Sequence, residues 1–169
     1  MRARRVALLG LLTAIALSIF MLEAQLPPVV PIPGVKLGLS NIVTVFTVFA
    51  LGGREGAAVL ACRVFLGAVF AGNFSTLLYS AAGGLCAILS TLGLKRLLRP
   101  NQIWAAGCLG AVAHSIGQMA AAIAVTGTPG LLVYLPILLI ISMFTGLFTG
   151  LCGQFLVKRG EKIWKTIFR

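Results

Sequence analysis

The sequence predicts an all-α polytopic membrane protein, a bundle of six transmembrane helices with both termini cytoplasmic. Three observations carry the prediction. Of 169 residues, 59% are apolar and only 10% charged, with a mean hydropathy of +1.06, whereas soluble domains are roughly 45–50% apolar and about 25% charged. Apolar runs recur between short polar breaks, at lengths near the ~20 residues a helix needs to cross a hydrocarbon core of ~30 Å. Fourteen Lys and Arg stand against three acids, Glu23, Glu55 and Glu161, and the bases are distributed as membrane topology requires. The runs show no period-2 alternation, and backbone groups in lipid must be satisfied within each segment, so helices are favoured over a barrel.

The spans fall at 6–23, 39–51, 57–72, 74–94, 103–125 and 131–157, all within a single integral membrane domain. The first follows a basic start and resembles a signal peptide. Its apolar run is long, however, and Glu23 interrupts any small-x-small cleavage pattern, so it is expected to remain as a true span. A Pro-rich outer connection, 26–38, holds Pro27, Pro28, Pro31 and Pro33, which restrict it to extended conformations and suit a stiff lid. The second span is short, and residues 29–37 are expected to extend it as an interfacial or re-entrant stretch. The sixth is long, with a kink expected at Pro136.

With the N-terminus inside, the cytoplasmic face receives Arg2, Arg4, Arg5, Arg54, Lys95, Arg96, Arg99, Lys158, Arg159, Lys162, Lys165 and Arg169, while the outer connections hold Lys36 alone. The net charge of +11 therefore reads as orientation and lipid contact, and gives no reason to invoke nucleic acid. The four cysteines, Cys62, Cys86, Cys108 and Cys152, sit singly in four spans, as packing residues rather than a metal or disulfide framework. Trp104 and Trp164 fit the interfacial belt. Small residues recur at helical spacing: Gly52 and Gly56; Gly107, Ala111 and Ser115; Gly146 and Gly150. These suit close helix packing within the bundle. The stripe Gly10, Ala14 and Ser18, with Ala3 and Ala7 on an adjoining row, offers a docking face for another membrane protein as an alternative to internal packing.

Polar groups inside the spans carry the functional signal, because burying them in hydrocarbon costs several kcal/mol unless they are paired or line a cavity. Arg63 falls near the middle of the third span, His114 just beyond the middle of the fifth, and Gln118 one turn further on the same face. Asn73, Thr76 and Tyr79 gather at the outer end of the fourth, and Glu23, Lys36 and Asn41 border the Pro-rich connection. These nine residues outline a polar pocket open to the exterior, with Arg63, His114 and Gln118 as floor, Asn73, Thr76 and Tyr79 as one wall, and Glu23, Lys36 and Asn41 on the loop side. Two roles stand open for Arg63, an internal ion pair with Glu23 or a direct ligand contact, and Asn41 and Asn73 have helix capping as their alternative.

The segments Leu22-Glu23, Leu26-Pro27-Pro28, Pro31-Ile32-Pro33-Gly34-Val35-Lys36-Leu37-Gly38-Leu39-Ser40-Asn41-Ile42, Arg63 with Gly67, Gly72-Asn73-Phe74 to Tyr79-Ser80, and His114-Ser115-Ile116-Gly117-Gln118 resemble the Gx transporter family. That family also carries the name heptaprenyl diphosphate synthase component I. It is similar to the S components of energy-coupling factor importers, which bind a nutrient from outside and associate with a T component and ATPase subunits. The resemblance implies a bacterial cytoplasmic-membrane location, a vitamin-like or isoprenoid-related small molecule, and docking of the T component on the first helix. The chain has no Asp, so the Asp-rich magnesium sites of prenyl diphosphate synthases have no counterpart, and no catalytic residue, metal or cofactor is expected. It also has no P-loop, so ATP-driven uptake requires partner subunits. The reading is a non-enzymatic substrate-binding subunit suited to an anionic or carbonyl-bearing molecule. The alternatives are an accessory subunit of isoprenoid or quinone synthesis, and a stand-alone carrier; a carrier would be expected to show an internal repeat, which the sequence lacks.

Overall fold

A computed structural model describes residues 2–26, 36–72 and 74–168. Among the described residues there are six α-helices and no strand: α1 Arg2–Glu23, α2 Asn41–Ala50, α3 Gly53–Ala71, α4 Phe74–Leu97, α5 Ile103–Thr126 and α6 Leu135–Phe168. Short 3-10 turns at Pro100–Gln102 and Pro129–Tyr134 lead into α5 and α6. Four helical stretches are long and apolar enough to cross a membrane: Ala3–Glu23, Phe74–Leu97, Ile103–Thr126 and Pro129–Gly160.

The other two helices differ from these for visible reasons. α3 has 19 residues but includes Arg54, Glu55 and Arg63. α2 has 10 residues, ~15 Å of helix, half of the ~30 Å core. The helix within 39–51 is therefore shorter than the apolar run: Gly38, with φ +80°, and the turn at Leu39 and Ser40 delay its start, and the chain leaves helix before Gly52. Pro136 also behaves differently from expectation. It stands in the first turn of α6, where its missing N–H has no helical partner to lose, so it opens the helix instead of kinking it.

Packing is arranged around α2, which touches all five other helices and buries Val43, Val45, Phe46 and Val48. On one side α5 lies along both α4 and α6; on the other α1 leans on α3. The α5–α6 contact is backbone on backbone: a Cβ on Gly107 would stand 2.3 Å from Cα of Gly150, and one on Gly150 would stand 2.5 Å from the Trp104 carbonyl oxygen. Only glycine permits that approach. Large apolar side chains such as Phe65, Phe70, Phe144, Phe148 and Phe155 point outward, while Arg63, His114, Gln118 and Ser142 are buried. That reversal of the soluble pattern is what a lipid-facing exterior demands.

Candidate ligand-binding site

One end of the bundle brings the C-terminus of α1 and the start of α2 together with α5, and α5 with α4 at Gly83. Counting 1.5 Å per residue, Arg63 lies ~15 Å along α3 and His114 ~16 Å along α5, near the midpoint of each. Glu23 closes α1 and Asn41 opens α2. The opposite end carries the basic residues. There Arg5 of α1 pairs with Glu55 of α3, and the Lys95 ammonium donates to the Val48 carbonyl.

The described end of the connection into α2 is bound tightly into the bundle. Gly38 N–H donates to Glu23 Oε1 at 2.6 Å and Leu39 N–H to Glu23 Oε2 at 3.1 Å. Lys36 N–H donates to Gln118 Oε1 at 3.3 Å. Both oxygens of a buried carboxylate are thus occupied by main chain, and α1 and α5 are tied across the same loop. The turn needs glycine at 38 twice over: its φ is +80°, and a Cβ there would lie 2.9 Å from Asn41 Nδ2 and 3.1 Å from His114 Cδ2. That close fit brings Asn41 and His114 to one point. On the far side of His114, a Cβ on Gly83 of α4 would meet the ring at 2.9 Å and Gln118 Cγ at 2.7 Å.

Arg63 donates from Nη1 to Ser40 Oγ at 2.6 Å. Phe20 stands close to both cations, its ring centroid 3.4 Å from Lys36 Nζ and 5.8 Å from Arg63 Cζ. Burial pushes the Lys36 amine below the usual lysine range, with Glu23 opposing the shift. Among the described residues the ion pair is Arg5 with Glu55; Glu23 and Arg63 form none. Glu23 and Arg63 therefore attract through space without a direct contact, while the Glu23 oxygens accept from Gly38 and Leu39.

Several buried polar atoms have no hydrogen-bond partner: Arg63 Nε and Nη2, both amide atoms of Asn41, Thr44 Oγ1 and His114 Nδ1. Arg63 is 2% exposed, Asn41 5%, Thr44 2% and His114 2%. Buried polar groups are nearly always satisfied, and each orphan costs about 1–3 kcal/mol, more for a charged one. Here they are contiguous. Asn41 and His114 meet at Gly38, Arg63 is joined to them through Ser40, and Thr44 lies one turn below on the Ser40 face of α2. Asn41 makes no capping bond either, since neither of its amide atoms has a hydrogen-bond partner.

The structure therefore brings together Glu23, Lys36, Asn41, Arg63, His114 and Gln118. Thr76 and Tyr79 are buried on α4, with no side-chain hydrogen bond to this group. Tyr79 packs in an apolar cluster with Met119, Ala122 and Leu138, and Thr76 lies seven residues before Gly83, about 10 Å along α4. Asn73 and the Pro-rich stretch 27–35, with the lid assigned to it, fall outside the described residues. The sequence reading missed Ser40, Thr44 and Phe20. Ser40 and Thr44 share a helical face at i and i+4 with Asn41 between them, a signal that was available; a phenylalanine in an apolar span carries none. On α1, Ala3, Ala7, Gly10, Ala14 and Ser18 are all exposed, and a Cβ on Gly10 would meet nothing within 4 Å.

A family model described as heptaprenyl diphosphate synthase component I matches residues 12–156. The chain belongs to that family. No curated protein and no solved structure matches it. The component I match begins within α1 and ends within α6, so every residue of the polar cluster lies inside the family's shared region.

Proposed function

We propose that this chain is a non-catalytic, substrate-capturing membrane subunit, comparable to the S component of an energy-coupling factor importer. The observation that supports the reading best is the contiguous set of buried, unpartnered polar atoms on α2, α3 and α5. A bundle in lipid keeps such groups where a polar guest satisfies them. In this reading all six helices belong to the membrane domain, both termini are cytoplasmic, and the site opens to the outside beneath the connection into α2. The positive-inside distribution of bases supports that orientation. The exposed small-residue row of α1 serves as the face for a T component, with ATPases beyond it.

The family's description supports a second reading, a membrane accessory subunit of heptaprenyl diphosphate synthase. With no Asp in the chain, such a subunit would present or retain a lipid precursor while a partner performed the chemistry. One purification separates the two. Full-length protein extracted from membranes in neutral detergent is analysed for co-purifying proteins and small molecules. Recovery of a T component and ATPases, with a small molecule lost in Arg63→Ala and His114→Ala, is the expected result. Recovery of a prenyl diphosphate synthase instead favours the accessory reading, and retention of the small molecule in both variants overturns the site.

A further inference from the structure

Resting on the substrate-capture reading, we infer that the site recognises an organic carboxylate, held bidentately by the free edge of the Arg63 guanidinium. The three nitrogens of that side chain are not equivalent here. Nη1 is engaged by Ser40 Oγ at 2.6 Å, and the two left without a partner are Nε and Nη2. Those two direct parallel N–H bonds along one edge of the guanidinium, the arrangement that meets both oxygens of a carboxylate. Ser40 fixes the plane from the opposite side, so the edge is aimed before any guest arrives.

The protein does not place an anion on that edge itself. Glu23 is the nearby acid and attracts both Lys36 and Arg63 through space, but its two oxygens accept main-chain N–H groups from Gly38 and Leu39 and make no hydrogen bond to the guanidinium. The surrounding unpartnered groups can complete the contact: Asn41 Nδ2 has N–H bonds to give and Asn41 Oδ1 accepts, while Thr44 Oγ1 can do either. Water would satisfy the neutral groups but leave two cations, Lys36 and Arg63, against the single carboxylate of Glu23 in a low-dielectric interior.

Charge selects among the oxyanions. Glu23 offsets one of the two cations, Lys36 and Arg63, leaving one positive charge for the guest. A carboxylate balances it; a phosphate monoester or diphosphate brings more negative charge than the site holds, and the chain offers no Asp to recruit a metal there. A carboxylate is also planar, matching the guanidinium edge.

The test uses three probes on one phenyl scaffold, benzoate, benzamide and phenyl phosphate, titrated against the detergent-purified full-length chain by thermal shift. Benzoate is expected to bind about tenfold more tightly than benzamide, because a charge-assisted bidentate pair is worth at least that factor over a neutral amide. Arg63→Lys keeps the charge but loses the edge, and is expected to abolish the benzoate preference. Equal binding of benzamide, or tighter binding of phenyl phosphate, overturns the assignment without any variant. So does the absence of a shift with all three, even where a co-purifying small molecule shows that capture itself stands. A wild-type protein that carries no small molecule and responds to no probe removes the reading on which the assignment rests.

Discussion

Glu23 ends α1 but acts on the chain 15 residues further on. By accepting the Gly38 and Leu39 N–H groups it fixes the turn that sets Ser40 against Arg63 and Asn41 beside His114. An amide at this position offers one acceptor oxygen and turns an N–H2 toward a main-chain donor. Glu23→Gln is therefore expected to destabilise the protein by about 1–3 kcal/mol, the range for losing a charge-assisted bond and stranding a buried donor. For a chain of this size that corresponds to a fall in Tm of roughly 3–10 °C. Thermal unfolding in detergent measures it, and a melting point equal to wild type would show that the two bonds do not hold the connection. Such pairing was hidden from the sequence. Glu23 and Arg63 are the natural opposite charges, and nothing local announces that the carboxylate is spent on two amides.

At the scale of helices, one sequence pattern has two outcomes. Gly107, Ala111 and Ser115 on α5, with Gly146 and Gly150 on α6, form a seam where backbones touch; Gly10, Ala14 and Ser18 on α1 face outward. Spacing alone cannot separate these cases, since it records that small residues share a face and not what lies opposite. Substitution does. Gly107→Ala drives a methyl into Gly150 at 2.3 Å, backbone that cannot rotate away, and is expected to cost about 1–3 kcal/mol or more by overpacking. Gly10→Ala meets open space and is expected to stay within about 0.5 kcal/mol of wild type, helix propensity favouring Ala. Paired melting curves check the contrast, and a destabilised Gly10→Ala protein would mean that α1 packs on its own bundle. The same limit explains α2. Hydropathy shows an apolar run over 39–51, but the turn that shortens the helix depends on Gly38 meeting Asn41 and His114, contacts made across the fold.

For the whole molecule, the helix order and the polar interior were legible because lipid imposes a simple rule: length and apolarity outside, ionisable groups within. What hydropathy alone underdetermines is which end of the bundle faces out. The structure separates the two ends chemically. Arg5, Glu55 and Lys95 make their contacts at one, and Glu23, Lys36 and Gln118 at the other. If the basic end is cytoplasmic, residues joining α5 to α6 face outward and those between α4 and α5 face inward. In a background free of Cys62, Cys86, Cys108 and Cys152, Thr128→Cys is then expected to react with a membrane-impermeant maleimide on intact cells. Asn101→Cys is expected to react only after permeabilisation. Both positions are exposed, so a difference between them reports sidedness and not burial. The reverse pattern would put the polar cluster toward the cytoplasm and end the case for capture from outside, while leaving the accessory role in prenyl diphosphate synthesis as the reading that fits.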